Sequence, residues 1–513
     1  MPYVQPRYSS TSYTIPAPIG GMNRREALDQ VSEIYAYFLQ NYIPKPGGLE
    51  LRGGITEHCD TGGASGGLDY ISTLAEHSEE DGTKTLIAAL NGVLYDVSTS
   101  SPSALGSGFS NDEFQWVNFK NRIFLVNGAD APQDYNGSSL SSTSWSGSGL
   151  TIANLINVSV YKSRLYFVEK DSQSIWYAGV SAITGTLTEF DVSDVTKKGG
   201  FIVFASSWTS DTGAGLQDLL IITTNNGEVL VYSGDNPESS DWTLVARFYI
   251  AEPLGRRANV SVNSDLLVLT RSGIVSVSRL LYGGQSNNKF IGASDLIQEI
   301  FRNAALSTSF SDTWNAAYYA REELLLIIPP AATISTSLVM HVETGGWTYF
   351  SGIPAESLVV YDNDLYFGGR EGGVGPDAAG LVFKYVSGFG NNGGAGSGGT
   401  DSGDAINGKI ILAFNYFGDR ARTKRILSVK PLVTGNPSFE TDIEALLDFD
   451  LDTTDTTNIP TATGTVGNAI QHNSIYSVSG IGKAVALKIN GNYENCPHII
   501  SAIEVIYEPG GLL

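Results

Sequence analysis

A short pattern recurs along most of the chain: a polar pair or turn, then a run of apolar or aromatic residues. The copies are Asn91-Gly92-Val93-Leu94-Tyr95, Asn121-Arg122-Ile123-Phe124-Leu125-Val126 and Ser163-Arg164-Leu165-Tyr166-Phe167-Val168. They continue with Gln217-Asp218-Leu219-Leu220-Ile221-Ile222 and Ser264-Asp265-Leu266-Leu267-Val268-Leu269. Glu322-Glu323-Leu324-Leu325-Leu326-Ile327 and Asn363-Asp364-Leu365-Tyr366-Phe367 complete the set. Several are followed by a second strand ending in an aromatic, as in Ser174-Ile175-Trp176-Tyr177, Gly227-Glu228-Val229-Leu230-Val231-Tyr232 and Leu381-Val382-Phe383-Lys384-Tyr385. A turn and paired strands every roughly forty to fifty residues is the rhythm of propeller blades. Hairpins recur in β-sandwiches too, but seldom at so long and sustained a spacing. The pattern predicts a mainly β protein built on a β-propeller of about seven blades.

Composition agrees with many short strands joined by tight turns. Of 513 residues 58 are glycine, and only 16% are charged against 42% hydrophobic. The net charge of −22 argues against a wide nucleic-acid-gripping surface, because phosphate neutralisation by cations supplies most of such affinity. An acidic surface suits solubility, and equally a wall along which DNA slides without sticking. The two cysteines, Cys59 and Cys496, exclude a disulfide framework and have no metal-like spacing. The arm from Met1 to Gly21 has no apolar run and does not read as a signal peptide. No stretch approaches the roughly eighteen apolar residues of a membrane span, so no membrane anchor is expected.

Four regions are expected. Residues 1–66 form an arm and a helix-containing segment, with the helix over Asn23 to Asn41. Asn23 and Glu26 make a capping-box pattern there, and Ala27, Val31, Ile34, Tyr35, Phe38 and Tyr42 share one helical face. Pro44 to Gly48 stops it, and Leu49 to Arg52 reads as a strand. Residues 67–390 hold the propeller, interrupted by a short helix over Ser294 to Asn303. Residues 391–404 read as a glycine-rich linker, and 405–513 as a separate β-domain. The first and last regions flank the propeller in sequence, so they are expected to pack together as a platform.

No enzyme constellation emerges. Gly63-Ala64-Ser65-Gly66-Gly67 matches a nucleophile-elbow pattern, but its flanks read as loop rather than strand and helix. Gly388-Phe389-Gly390-Asn391-Asn392-Gly393 matches a dinucleotide pattern but leads into more glycine. The five histidines are scattered without helical metal spacing and read as structural. Asp448, Asp450 and Asp452 alternate along an expected strand, as an acidic face or a calcium loop. The repeats lack the Ser-x-Asp-x-Gly-x-x-Trp boxes of many sialidase propellers. No catalytic residue, cofactor or metal is therefore assigned. One cluster stands out in so acidic a chain: Arg420, Arg422, Lys424 and Arg425. It is either a solvated turn and guarded edge strand, or a contact to an acidic neighbouring subunit or to DNA phosphates. Arg24-Arg25 and Arg256-Arg257 pose the same question more weakly.

Two stretches carry a family resemblance. The first runs from Gly20-Gly21-Met22-Asn23 through Tyr35-Ala36-Tyr37-Phe38 to Asn41-Tyr42-Ile43-Pro44-Lys45-Pro46-Gly47-Gly48-Leu49-Glu50-Leu51-Arg52-Gly53-Gly54. The second begins at His341 and holds Thr344-Gly345-Gly346-Trp347, Leu365-Tyr366-Phe367-Gly368, Asp401-Ser402-Gly403 and Tyr416-Phe417-Gly418. In this order they resemble the tail nozzle, or tail tubular B, proteins of short-tailed phages. The resemblance implies a virion protein, made in a host bacterium's cytoplasm, that forms a homohexameric ring at the tail's end. It implies docking on a head-to-tail adaptor, passage of double-stranded DNA through the ring without sequence-specific binding, and a place for tail fibres or spikes. The chain departs from the family pattern at Gly375-Pro376-Asp377-Ala378 and in its glycine linker. The alternatives are a carbohydrate-binding propeller acting as a monomer, and a glycosidase propeller with paired carboxylates.

Overall fold

The computed structural model describes residues 9–62, 70–211, 216–283, 294–308, 314–330, 336–370, 379–386, 400–435, 441–451, 459–460, 474–494 and 496–512. Its repeating unit is a four-stranded antiparallel meander. The first joins Thr73–Ser78, Lys84–Leu90, Val93–Asp96 and Ser103–Ser107 in chain order. The second opens with Gln115–Asn118, the third with Leu155–Tyr161 and the fourth with Ile202–Asp211. The fifth has three strands, starting at Asn259–Val262, and continues into the helix Val277–Tyr282. The sixth opens with Asn315–Tyr319 and the seventh with Ala355–Tyr361. The opening strands of all seven units line one shared channel, which makes them blades around an axis.

In four copies the polar residues of the repeat mark a hairpin turn, whereas Gln217-Asp218 lie inside the strand Leu216–Thr224. Asn91-Gly92, Lys120-Asn121, Lys162-Ser163 and Asp362-Asn363 all have positive φ at both positions, as in a two-residue turn whose twist matches its strands. Asn, Asp and Gly adopt that conformation most readily and fill five of these eight positions; Lys120, Lys162 and Ser163 take it as well. In blades two to seven the apolar run after the turn is the blade's second strand, as in Leu324–Ile328, where every residue is buried. In the first blade it is the third strand, Val93–Asp96, which explains why the first interval is the shortest. Each buried Leu or Ile side chain contributes about 1.5–3 kcal/mol relative to exposure.

The expected helix over Asn23 to Asn41 is absent. Its capping hydrogen bonds do form: Asn23 Oδ1 accepts from the amides of Arg25 and Glu26, and Asn23 Nδ2 donates to Glu26. They close a turn, after which Ala36–Gln40 is a strand antiparallel to Asp404–Leu412. That partner lies far away in sequence and is invisible to local periodicity; Ala36 and Leu39 are buried against it at 0% exposure. The helix between blades is present as Gln298–Leu306, preceded by a 3-10 turn at Asp295–Ile297.

The termini build a two-layer sandwich beside the propeller. One sheet joins Thr11–Pro16, Tyr42–Lys45, Gly48–Leu51, His498–Leu512, Arg422–Gly435, Tyr476–Gly482 and Ile459–Pro460. The facing layer joins Ala36–Gln40, Asp404–Leu412, Val485–Tyr493 and Asp442–Leu447. Ile15, Leu49, Val429 and Val505 of one layer and Leu39, Ile410, Leu487 and Ile489 of the other share a single apolar core. This core runs on into the blades through Trp347.

Two boundaries differ from the sequence reading. Gly54–Asp60, placed in the N-terminal segment, is the outer strand of the seventh blade and pairs with Leu381–Val386. Within the expected linker, Thr400–Asp401 is a short strand that pairs with Asp404–Leu412, which begins at the linker's last residue, and touches Ile55. Residues 391–399 of that linker, the Gly63 and Gly388 motifs, the Gly375 insertion and His472 lie outside the described residues.

Candidate functional site

Three features concentrate polar chemistry: a buried joint, the axial channel and the sandwich face that carries the arginines. The joint is centred on Arg52, just past the strand Gly48–Leu51 and 1% exposed. Its Nε donates to Asn41 Oδ1 at 2.8 Å; Nη1 donates to Gly53 O at 2.7 Å and to Asp401 at 2.8 Å. Nη2 donates to Ser351 O at 2.6 Å and to the second Asp401 oxygen. All five donors are used, which is what a desolvated guanidinium requires. Asn41 in turn accepts from Ser351 N at 2.9 Å and donates to Asn407 O at 2.7 Å. The N-terminal segment, the end of the sixth blade and the sandwich strand after Asp401 therefore meet at one ion pair. A side chain at Gly352 would strike Asp401 at 2.7 Å, and its φ of +87° suits only glycine without strain.

The axial channel has a volume of about 550 Å³ and is walled by the opening strands. Amide and hydroxyl groups of Asn157, Ser159, Ser206, Asn259, Ser261 and Ser357 alternate along its wall with apolar side chains such as Val158 and Val359. Arg257, from the loop entering blade five, reaches across the axis. It donates to Ser72 O (2.7 Å) and Thr73 Oγ1 (2.7 Å) before the first blade's core, Phe114 O (2.9 Å) beside the second, and Asn315 Oδ1 (3.0 Å) in the sixth. Burial pushes its pKa down to about 10, and nearby Glu113 and Glu356 oppose that fall. Arg256 adds a bond to Asn127 O at 3.1 Å. These two arginines act as cross-axis ties, a role that their sequence context did not distinguish from a surface patch.

The cation cluster is not a single patch. Its strand, Arg422–Gly435, is internal to its sheet, paired on both sides, so it is no guarded edge. Lys424 is 1% exposed, and its Nζ donates to Lys483 O at 2.9 Å and to Asp419 O. Arg420 stacks over Tyr416 at 4.7 Å, while exposed Arg422 and Arg425 lie 3.6 Å from Asp419 and Glu508. Strand alternation separates Lys424 from Arg425, and the register shift between Arg422 and Lys424 separates it from Arg422. Asp448 and Asp450 do not share a strand face either, since both follow the end of Asp442–Leu447. Asp448 Oδ1 accepts from the amides of Lys483 and Ala484, which closes a turn; Asp452 lies outside the described residues.

Inside the sandwich, Tyr42, Tyr493, Cys496 and His498 form a buried polar cluster. His498 Nδ1 lies 2.8 Å from Cys496 O, which can only accept, so that nitrogen carries the proton. Nε2 then accepts from the Tyr42 hydroxyl at 3.0 Å, and Tyr493 lies 3.0 Å beyond it. Burial lowers the His498 pKa from 6.5 to about 4, partly opposed by the Cys496 carbonyl. The folded state therefore refuses a proton that the unfolded chain takes up. This contribution is complete above pH 6.5 and is lost as pH falls toward 4, by roughly 3 kcal/mol. Urea midpoints measured at pH 7 and pH 4.5 should fall further for the parent than for His498→Gln; equal falls would contradict the assignment. Both cysteines are buried and free.

No family profile and no curated protein matches the chain. Solved structures similar to it include the WD40 β-propeller domain of Doa1, at 8% identity and a TM-score of 0.37 over 64% of this chain and 97% of that one. YCF48 from Cyanidioschyzon merolae is similar at 11% identity and a TM-score of 0.36, over 65% of this chain and 98% of that one. Likeness at that identity concerns the fold alone, and the blade assignment above stands on strand pairing. Among the described residues no helix is long and apolar enough to cross a membrane.

Proposed function

We propose that this chain is a non-enzymatic virion protein, the tail nozzle subunit of a short-tailed phage. Six copies form a ring that docks on the head-to-tail adaptor and guides the genome out. The observation that carries this reading is the Arg52–Asp401 joint. Arg52 and Asp401, one in each stretch that resembles nozzle proteins, are 349 residues apart in sequence, and they meet there with Asn41. What the resemblance singles out is thus a rigid connection between propeller and sandwich, which a ring under load from moving DNA needs.

A ring of like subunits closes through a heterologous interface. In this reading the sandwich supplies that interface, and Arg420, Arg422 and Arg425 are its candidate contacts to an acidic neighbour or to phosphates. DNA follows the ring axis and not the propeller's own channel, whose volume of about 550 Å³ is of small-molecule size. Six chains of net charge −22 present an acidic wall that repels phosphate and keeps a sliding duplex from sticking.

Light scattering of the purified chain, alone and with its adaptor, tests the assembly. A mass of six chains in either condition supports the nozzle reading. A monomer in both, together with retention on a glycan array, favours the carbohydrate-binding propeller instead.

A further inference from the structure

We propose that Glu323, His341 and Glu343 form a divalent-cation site on the sixth blade, at its border with the sandwich. Glu323 immediately precedes the strand Leu324–Ile328, His341 ends the strand Thr336–His341, and Glu343 lies in the turn before Gly346–Ser351. The backbone holds these turns against each other: Leu324 pairs with His341, and Val342 N donates to Glu323 O at 2.8 Å. One imidazole nitrogen and one oxygen from each carboxylate lie within 4.8 Å of one another. A small contraction of that triangle brings all three to coordination distance of one ion.

The histidine is prepared for this role. It is 4% exposed, although both glutamates are exposed. Its Nδ1 lies 3.2 Å from Thr344 Oγ1, whose own proton goes to Pro44 O at 2.7 Å. With its proton so committed, that hydroxyl can accept from Nδ1 once an ion at Nε2 places the ring proton there; the Thr344 amide, which points its N–H at Nδ1 from 3.4 Å, is the long contact that this tautomer gives up. Nε2 is left with its lone pair and has no hydrogen-bond partner among the described residues. Lys45, whose charge bears on His341, is held by Glu50 at 2.9 Å and by Glu322 at 3.8 Å. One imidazole and two carboxylates suit zinc, manganese, cobalt or nickel better than calcium or magnesium, which favour all-oxygen sets. Two carboxylates balance the ion's charge, and water fills the remaining positions. Because Thr344 also bonds Pro44 of the sandwich, a bound ion stiffens the propeller–sandwich border. The site does not depend on the nozzle reading.

The test is calorimetric titration of zinc chloride into the full-length chain after chelator treatment, alongside the Glu323→Gln/Glu343→Gln double variant. Both substitutions are at exposed positions, so the variant is expected to fold, checked by an unchanged metal-free melting midpoint. One zinc per parent chain is expected, with binding weakened at least about tenfold in the variant. Zinc should raise the melting midpoint of the parent and not of the variant. Absence of zinc binding by the parent overturns the proposal. Equal binding by both also does, because it would mark an adventitious ion held by other histidines.

Discussion

Replacing Arg52 with alanine is expected to destabilise the protein by about 3–5 kcal/mol, the cost of breaking a buried ion pair from one side. The cavity is the lesser part of that loss. Asp401, 7% exposed, would keep its charge without a partner, and Asn41 Oδ1 and the carbonyls of Gly53 and Ser351 would lose a donor. Arg52→Lys should restore little, because one ammonium cannot reach partners spread around a planar fork. Asp401→Asn should cost less than Arg52→Ala, since it leaves the arginine's three other acceptors in place. Urea midpoints of the three variants check the ordering. An Arg52→Ala protein within about 1 kcal/mol of the parent would mean that the joint is not what fastens the two parts.

Arg257→Met should cost about 2–4 kcal/mol although it removes no large apolar contact. Four hydrogen bonds to three other blades go with it, and the carbonyls of Ser72 and Phe114 are left facing a channel. The loss should be local in character. Hydrogen exchange is expected to rise in the innermost strands Thr73–Ser78 and Gln115–Asn118, while the sandwich strand His498–Leu512 stays protected. Uniform loosening of both parts would contradict a tie across the propeller axis.

The propeller was legible because its turns impose a chemical demand. Positive φ at two successive positions favours Asn, Asp and Gly, which supply five of the eight positions in four of the turns, and that punctuation survives without any alignment. What was illegible depends on partners remote in sequence. Residues 23–41 carry a helical stripe and a helix cap, yet Ala36–Gln40 takes a strand from Asp404–Leu412. Gly54–Asp60 could not be assigned to the last blade, because nothing local marks a strand as closing a ring. Asp401 sat in what read as linker, so its pairing with Arg52 was hidden, although both lie in the stretches that resemble nozzle proteins. Arg420, Arg422, Lys424 and Arg425 looked like one patch because composition ignores the register shift and alternation that turn Lys424 inward, away from Arg422 and Arg425. His341 read as a structural histidine, since Glu323 reaches it only through the pairing of two strands.

End-on electron microscopy of the purified chain assembled on its adaptor tests the central claim most directly. The account predicts six-fold rings with the sandwiches in contact around the circumference, propellers as outer walls, and a lumen wide enough for a DNA duplex. Particles that stay single, or rings whose lumen is too narrow for a duplex, would contradict it.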